Sequence, residues 1–166
     1  MTKTLPSHHH SSSLEKVLEH RFVAELTAAL WLAGERGFEV LHSEVDAHGY
    51  DIVVDANDVM RHIQLKAMKR GGKRSRVNVN MLLAGKPSGC VVWYEYAPDT
   101  LQLGPFRWFG GLPRQPLPEL GDRILRHTKG NSEGLKGERA GHRVLTRTDF
   151  ELLPDMPALV ERLFAR

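Results

Sequence analysis

An α/β fold, with a central mixed β-sheet flanked by helices, is what this sequence predicts, on three observations. Leu14, Leu18, Phe22, Leu26, Ala29, Leu32 and Ala33 recur at helical spacing and share one broad arc, as on an amphipathic helix. Residues 50–56 and 61–67 read as short strands on either side of a turn-rich span, with Ile63 and Leu65 alternating with His62, Gln64 and Lys66, a layout that suits a hairpin. Residues 89–96 are apolar on both faces, which suits a strand inside a sheet covered on both sides.

Taken in order, residues 1–13, with His8-His9-His10-Ser11-Ser12-Ser13, are expected to be a flexible tail, and residues 14–166 a single domain. The first helix is expected from Leu14 to about Arg36, with Ser13 as its N-cap and Gly37 ending it. A first strand follows at 38–43, then the hairpin. Gly71-Gly72-Lys73-Arg74-Ser75-Arg76 reads as a mobile basic loop, and residues 77–85 suit a short helix or an extended segment equally. Beyond the 89–96 strand, residues 100–103 and 106–109 read as peripheral strands. Three prolines and two glycines make 110–118 a loop, and 129–141 is Gly-rich, basic and loop-like. Residues 143–146 suggest a last strand, and 157–164 a closing helix capped by Asp155.

Composition narrows the function classes. At 166 residues, 41% hydrophobic and 26% charged, the chain is ordinary for a soluble domain with a sizeable core. No apolar run approaches the roughly 20 residues of a membrane span, and the polar start lacks a signal-peptide layout, so a cytoplasmic setting is expected. The single cysteine, Cys90, lies in an apolar strand and reads as a buried, inert thiol. Nine histidines show no spacing that fits a zinc site, and Gly71-Gly72-Lys73 lacks the spacing of a phosphate-binding loop. Net charge is +3, but seven Lys/Arg and no acid lie between Arg61 and Arg76, and seven more against three acids between Asp122 and Arg147. Two such runs favour a polyanionic partner, nucleic acid first.

The chemistry-bearing residues gather around the hairpin. Side chains alternate faces along a strand. Ile63 and Leu65 therefore share one face, and His62, Gln64 and Lys66 the other. A register that puts Ile52 and Val54 with Ile63 and Leu65 also sets Asp51 across from Gln64 or Lys66. A carboxylate, an amide oxygen and an ammonium then meet at one sheet edge, a grouping that can hold a divalent metal beside a phosphate. On the first helix, Glu25 lies within the apolar arc, a costly place for an unpartnered carboxylate. Glu19, nearer the far edge of the arc, is the weaker candidate.

Glu25 within Phe22-Val23-Ala24-Glu25-Leu26, Asp51 within Gly49-Tyr50-Asp51, and Gln64-Leu65-Lys66 together resemble the PD-(D/E)XK nuclease superfamily. This is the restriction-endonuclease-like fold, which includes Holliday junction resolvases. The likeness covers residues 14–67, with 89–96 as a further core strand. It departs from the motif at Gln64, where an acid is usual. The resemblance implies a Mg²⁺- or Mn²⁺-dependent endonuclease acting on DNA. Asp51 would be the main metal ligand, aided by Gln64, the Leu65 carbonyl and Glu25. Lys66 would orient the attacking water and offset charge on the phosphorane. Lys69, Arg70, Lys73, Arg74 and Arg76 would clamp the nucleic-acid backbone. A homodimer is a further expectation, since superfamily members that cut both strands are commonly dimers. The alternative is a catalytically inactive module of the same fold that binds nucleic acid or a protein partner.

Overall fold

The opening helix sets the position of everything packed on it. In the computed structural model, which describes residues 8–45, 47–126 and 138–165, helix α1 spans His8–Leu32. It begins upstream of the expected start, so Ser13 lies inside it and does not cap it; residues 1–7 of the expected tail lie outside the described residues. It ends at Gly34, not Gly37. Gly34 adopts φ +92°, its N–H donates to the Trp31 carbonyl at 3.1 Å, and the Glu35 N–H donates to the Leu30 carbonyl at 3.0 Å. These are the two bonds of a Schellman stop, which needs a left-handed residue where Gly34 stands. The buried stripe is Leu18, Phe22, Leu26 and Leu30, while Leu32 is 85% exposed. Leu32 is rotated about 200° from Leu30 around the helix and faces away from the sheet.

Six strands form the main sheet, in the order β1 (Glu39–His42), β2 (Ile52–Ala56), β3 (Val59–Lys69), β5 (Gly89–Tyr96), β6 (Leu103–Gly110), β9 (Glu151–Leu153). Only β3 and β5 run parallel; the other neighbours are antiparallel. The sheet is thus mixed, as expected, with the apolar β5 at its centre. The β2–β3 turn is tighter than expected. Asn57 (φ 55°) and Asp58 (φ 60°) make a two-residue connection, the left-handed geometry that matches the twist of a hairpin. Register pairs Ile52 with Ile63 and Val54 with Arg61, which places Ile52, Val54 and Ile63 in one fully buried layer. Residues 100–102 form no strand; β6 runs as one strand through Phe106–Phe109.

Both helices lie on one face of this sheet. Phe22 of α1 stacks on Tyr94 with ring centroids 5.5 Å apart and meets Phe106 edge-on at 6.4 Å. Helix α2 (Met156–Phe164) completes the layer with Leu159, Val160 and Leu163. Asp155 caps it as expected, accepting the Ala158 N–H at 2.9 Å. Replacing Asp155 by Ala should cost about 1 kcal/mol, read as a lower midpoint in denaturant at unchanged slope.

The opposite face is covered by a second sheet, not by a helix. Its order is β4 (Arg76–Asn80), β8 (Glu138–Thr146), β7 (Ile124–Arg126). Val77, Val79 and Leu145 pack from it against Met68, Val91 and Trp93 of the main sheet. Residues 138–141, expected as loop, belong to β8, and residues 129–137 lie outside the described residues. The expected last strand is followed by β9, an edge strand of the main sheet.

Candidate active site

Asp51 stands where β2 leaves β3. Its N–H donates to the Ile63 carbonyl at 2.9 Å, and its carbonyl accepts the Ser43 N–H at 2.9 Å. The regular ladder stops at the Ile52–Ile63 pair. One step further along β3, the Leu65 N–H meets the Asp51 carboxylate, Oδ2, at 2.6 Å. The side chain thus takes the place that a backbone carbonyl of β2 would have filled. Within a strand, the N–H and C=O of one residue point to the same side, so the Leu65 carbonyl opens on the edge where Asp51 sits.

Gln64 and Lys66 project to the face of Val91 and Trp93, their register partners on β5. Gln64 is 7% exposed. Its Oε1 is buried and has no hydrogen-bond partner among the described residues. An orphaned buried acceptor costs about 1–3 kcal/mol, and a cation or donor seated beside it would recover that cost. Lys66 is half-buried. Tyr50 packs nearby, edge-on to His62 at 5.0 Å. Among the described residues no three His, Cys, Asp or Glu side chains gather at metal-holding distance. The oxygen donors of this edge are therefore mixed: the Asp51 carboxylate, the Gln64 amide and the Leu65 carbonyl. Hard oxygens of this kind suit Mg²⁺ or Mn²⁺.

The helix acid near this edge is Glu19, whereas Glu25, the residue expected there, lies on the other flank of α1. Glu25 pairs with Arg21 at 2.8 Å and lines a cleft between the helices with Ala29, Leu32, Met156 and Val160. Glu19 is 9% exposed. It holds Lys16 at 2.9 Å and His42 Nδ1 at 3.1 Å. Its hydrogen bond raises the Lys16 ammonium above its ordinary pKa; burial opposes this, and the charges of Glu19, Asp51 and Glu15 reinforce it. Burial pushes the Tyr94 hydroxyl up, with Asp51, Glu19 and Glu15 adding to the effect. Glu19 reaches His42, which pairs with Ile52, the residue after Asp51, so it lies at the same end of the sheet as Asp51. The straight Leu18–Leu30 row has Glu19 on one flank and Glu25 on the other. Helical periodicity favours Glu25 as the residue deeper in the apolar arc, but β1 packs against the Glu19 flank and α2 against the Glu25 flank.

The five cations expected to hold a nucleic-acid backbone, Lys69, Arg70, Lys73, Arg74 and Arg76, are all exposed. Arg70 also donates to the Gly104 carbonyl at 3.0 Å. Arg61, counted in the same basic run, is fully buried. It donates to the Leu163 carbonyl at the end of α2 at 2.8 Å and to the Gly111 carbonyl at 3.1 Å.

No protein-family model matches the chain, and no curated protein sequence matches it. Among solved structures, the chain is similar to a Holliday junction resolvase from the archaeal hyperthermophile Archaeoglobus fulgidus, with a TM-score of 0.41 and 15% identity, covering 85% of this chain and 98% of that one. Among the described residues no helix is long and apolar enough to cross a membrane.

Proposed function

We propose that the chain is a metal-dependent endonuclease that hydrolyses phosphodiester bonds of DNA at the Asp51 edge. The observation that carries this assignment is the 2.6 Å bond from the Leu65 N–H to the Asp51 carboxylate, which holds the acid against the Gln64-Leu65-Lys66 strand. The orphaned Gln64 Oε1 supports it. Asp51, Gln64 and the Leu65 carbonyl would hold Mg²⁺ or Mn²⁺, with Glu19 in the role first expected of Glu25. Such an ion supplies charge neutralisation at the scissile phosphate and acidifies water near neutral pH. Lys66 would orient the attacking water and offset charge building on the phosphorane. The exposed cations that follow it on β3 and its loop would bind the backbone, with an affinity that falls with salt.

The test is cleavage of duplex, junction and single-stranded DNA, with RNA alongside, in Mg²⁺ or Mn²⁺ and in EDTA, comparing wild type with Lys66→Ala. Cleavage that needs the metal and is lost in Lys66→Ala is expected. Equal cleavage by both proteins, or none by either, removes the assignment and leaves a binding module of the same fold. Calorimetric titration with Mn²⁺ separates the two directly, since a module without chemistry need bind no ion at Asp51.

A further inference from the structure

The two basic runs, far apart in sequence, are joined by one residue. Arg147 donates from Nε to the Arg74 carbonyl at 3.0 Å and from Nη2 to the Gly72 carbonyl at 3.0 Å. Its own N–H donates to the Ser75 carbonyl at 3.1 Å. The basic loop after β3 is thereby fastened to the end of β8. Immediately beyond the fastening, Arg76 pairs with Thr146 across β4 and β8. Arg123 reaches the same place, with Nη1 at 3.5 Å from the Thr146 hydroxyl and Nη2 at 2.7 Å from Asp149. The Arg76 side chain is exposed and makes no hydrogen bond or ion pair among the described residues. Three arginines thus meet at one end of the second sheet, with Asp149 as the acid among them.

We propose that this end of the second sheet, carrying Arg76 and Arg123 and locked to the basic loop by Arg147, is a second binding surface for the phosphodiester backbone of nucleic acid. The proposal rests on the nuclease assignment and extends it to where the substrate runs. Its support is continuity. Lys66 and Lys69 project to opposite faces of β3, but Lys73, Arg74 and Arg76 follow one another, all exposed, on the segment that leaves β3 for β4. The loop then carries the positive surface over to the second sheet. A backbone leaving the Asp51 edge along β3 meets a loop whose shape is held, because Arg147 spends its fork on two carbonyls. A lysine there keeps the charge but lacks the planar fork that holds both carbonyls at once.

The experiment is fluorescence anisotropy of a labelled DNA duplex in EDTA over a salt series. Wild type is compared with Arg76→Gln/Arg123→Gln, with Arg147→Lys, and with Arg36→Gln as a control, the Arg36 guanidinium lying 3.9 Å over the Trp31 ring at the far end of α1. The double variant should flatten the slope of log affinity against log salt by about 0.9 for each phosphate it no longer neutralises. Arg147→Lys should weaken binding severalfold at equal net charge and with α-helix and sheet content retained. Arg36→Gln should leave the slope in place. A wild-type slope in the double variant, or an equal flattening in the control, overturns the second surface alone. Failure of wild type to bind DNA at all overturns it together with the nuclease assignment.

Discussion

Asp51→Asn is expected to lower DNA cleavage by on the order of 10²–10³ while the protein melts as wild type does. The two halves of that result have separate causes. An asparagine oxygen can still accept the Leu65 N–H that the carboxylate now holds at 2.6 Å, so the edge of β3 keeps its partner. What is lost is the negative charge that anchors a hard divalent cation. Asp51→Ala is a poorer probe, because it strands the Leu65 N–H and adds about 1–3 kcal/mol of destabilisation. The measurement is the single-turnover cleavage rate over a Mg²⁺ or Mn²⁺ titration, paired with thermal denaturation. If Asp51→Asn cleaves at the wild-type rate, the charge of Asp51 has no part in the chemistry.

Glu19→Gln is expected to weaken cleavage by about 10–100-fold, the scale seen when a group that supports a metal ligand is removed, whereas Glu25→Gln should stay within about twofold. The contrast follows from their surroundings. Glu19 is buried between Lys16 and His42 at the end of the sheet where Asp51 lies. Glu25 faces α2, and its charge is already offset by Arg21 on the helix surface. A pair so exposed contributes under about 1 kcal/mol to stability, so neither activity nor melting should register its loss. Rising metal requirement in Glu19→Gln, seen as a higher Mn²⁺ concentration at half-maximal rate, would tie the residue to the ion rather than to folding. The reverse ranking of the two variants would return the role to Glu25.

Local pattern determined a good part of this protein. The alternation of Ile63 and Leu65 with Gln64 and Lys66 encodes which face of β3 joins Ile52 and Val54 in the helix-side layer, because a slip by one residue would exchange the two faces. The unbroken apolar run of β5 marks the strand with cover on both faces, and with it Cys90, whose thiol burial pushes up to about 12. Asp155 is legible as a cap because a short acceptor side chain before a helix has one well-defined use.

Other features were decided only when distant segments met. The flank of α1 that serves the Asp51 edge depends on β1 and α2 packing to either side of the Leu18–Leu30 row, and helical spacing assigns no partner to a flank. Arg61 reads as one more surface cation until α2 ends above it and supplies the Leu163 carbonyl. The pairing of β4 with β8 joins residues 76–80 to 142–146, a separation at which local periodicity carries no information about which strands become neighbours. Hydrophobic pattern states which face of an element must be covered. Only tertiary packing chooses what covers it, and so which polar groups at its margins come together.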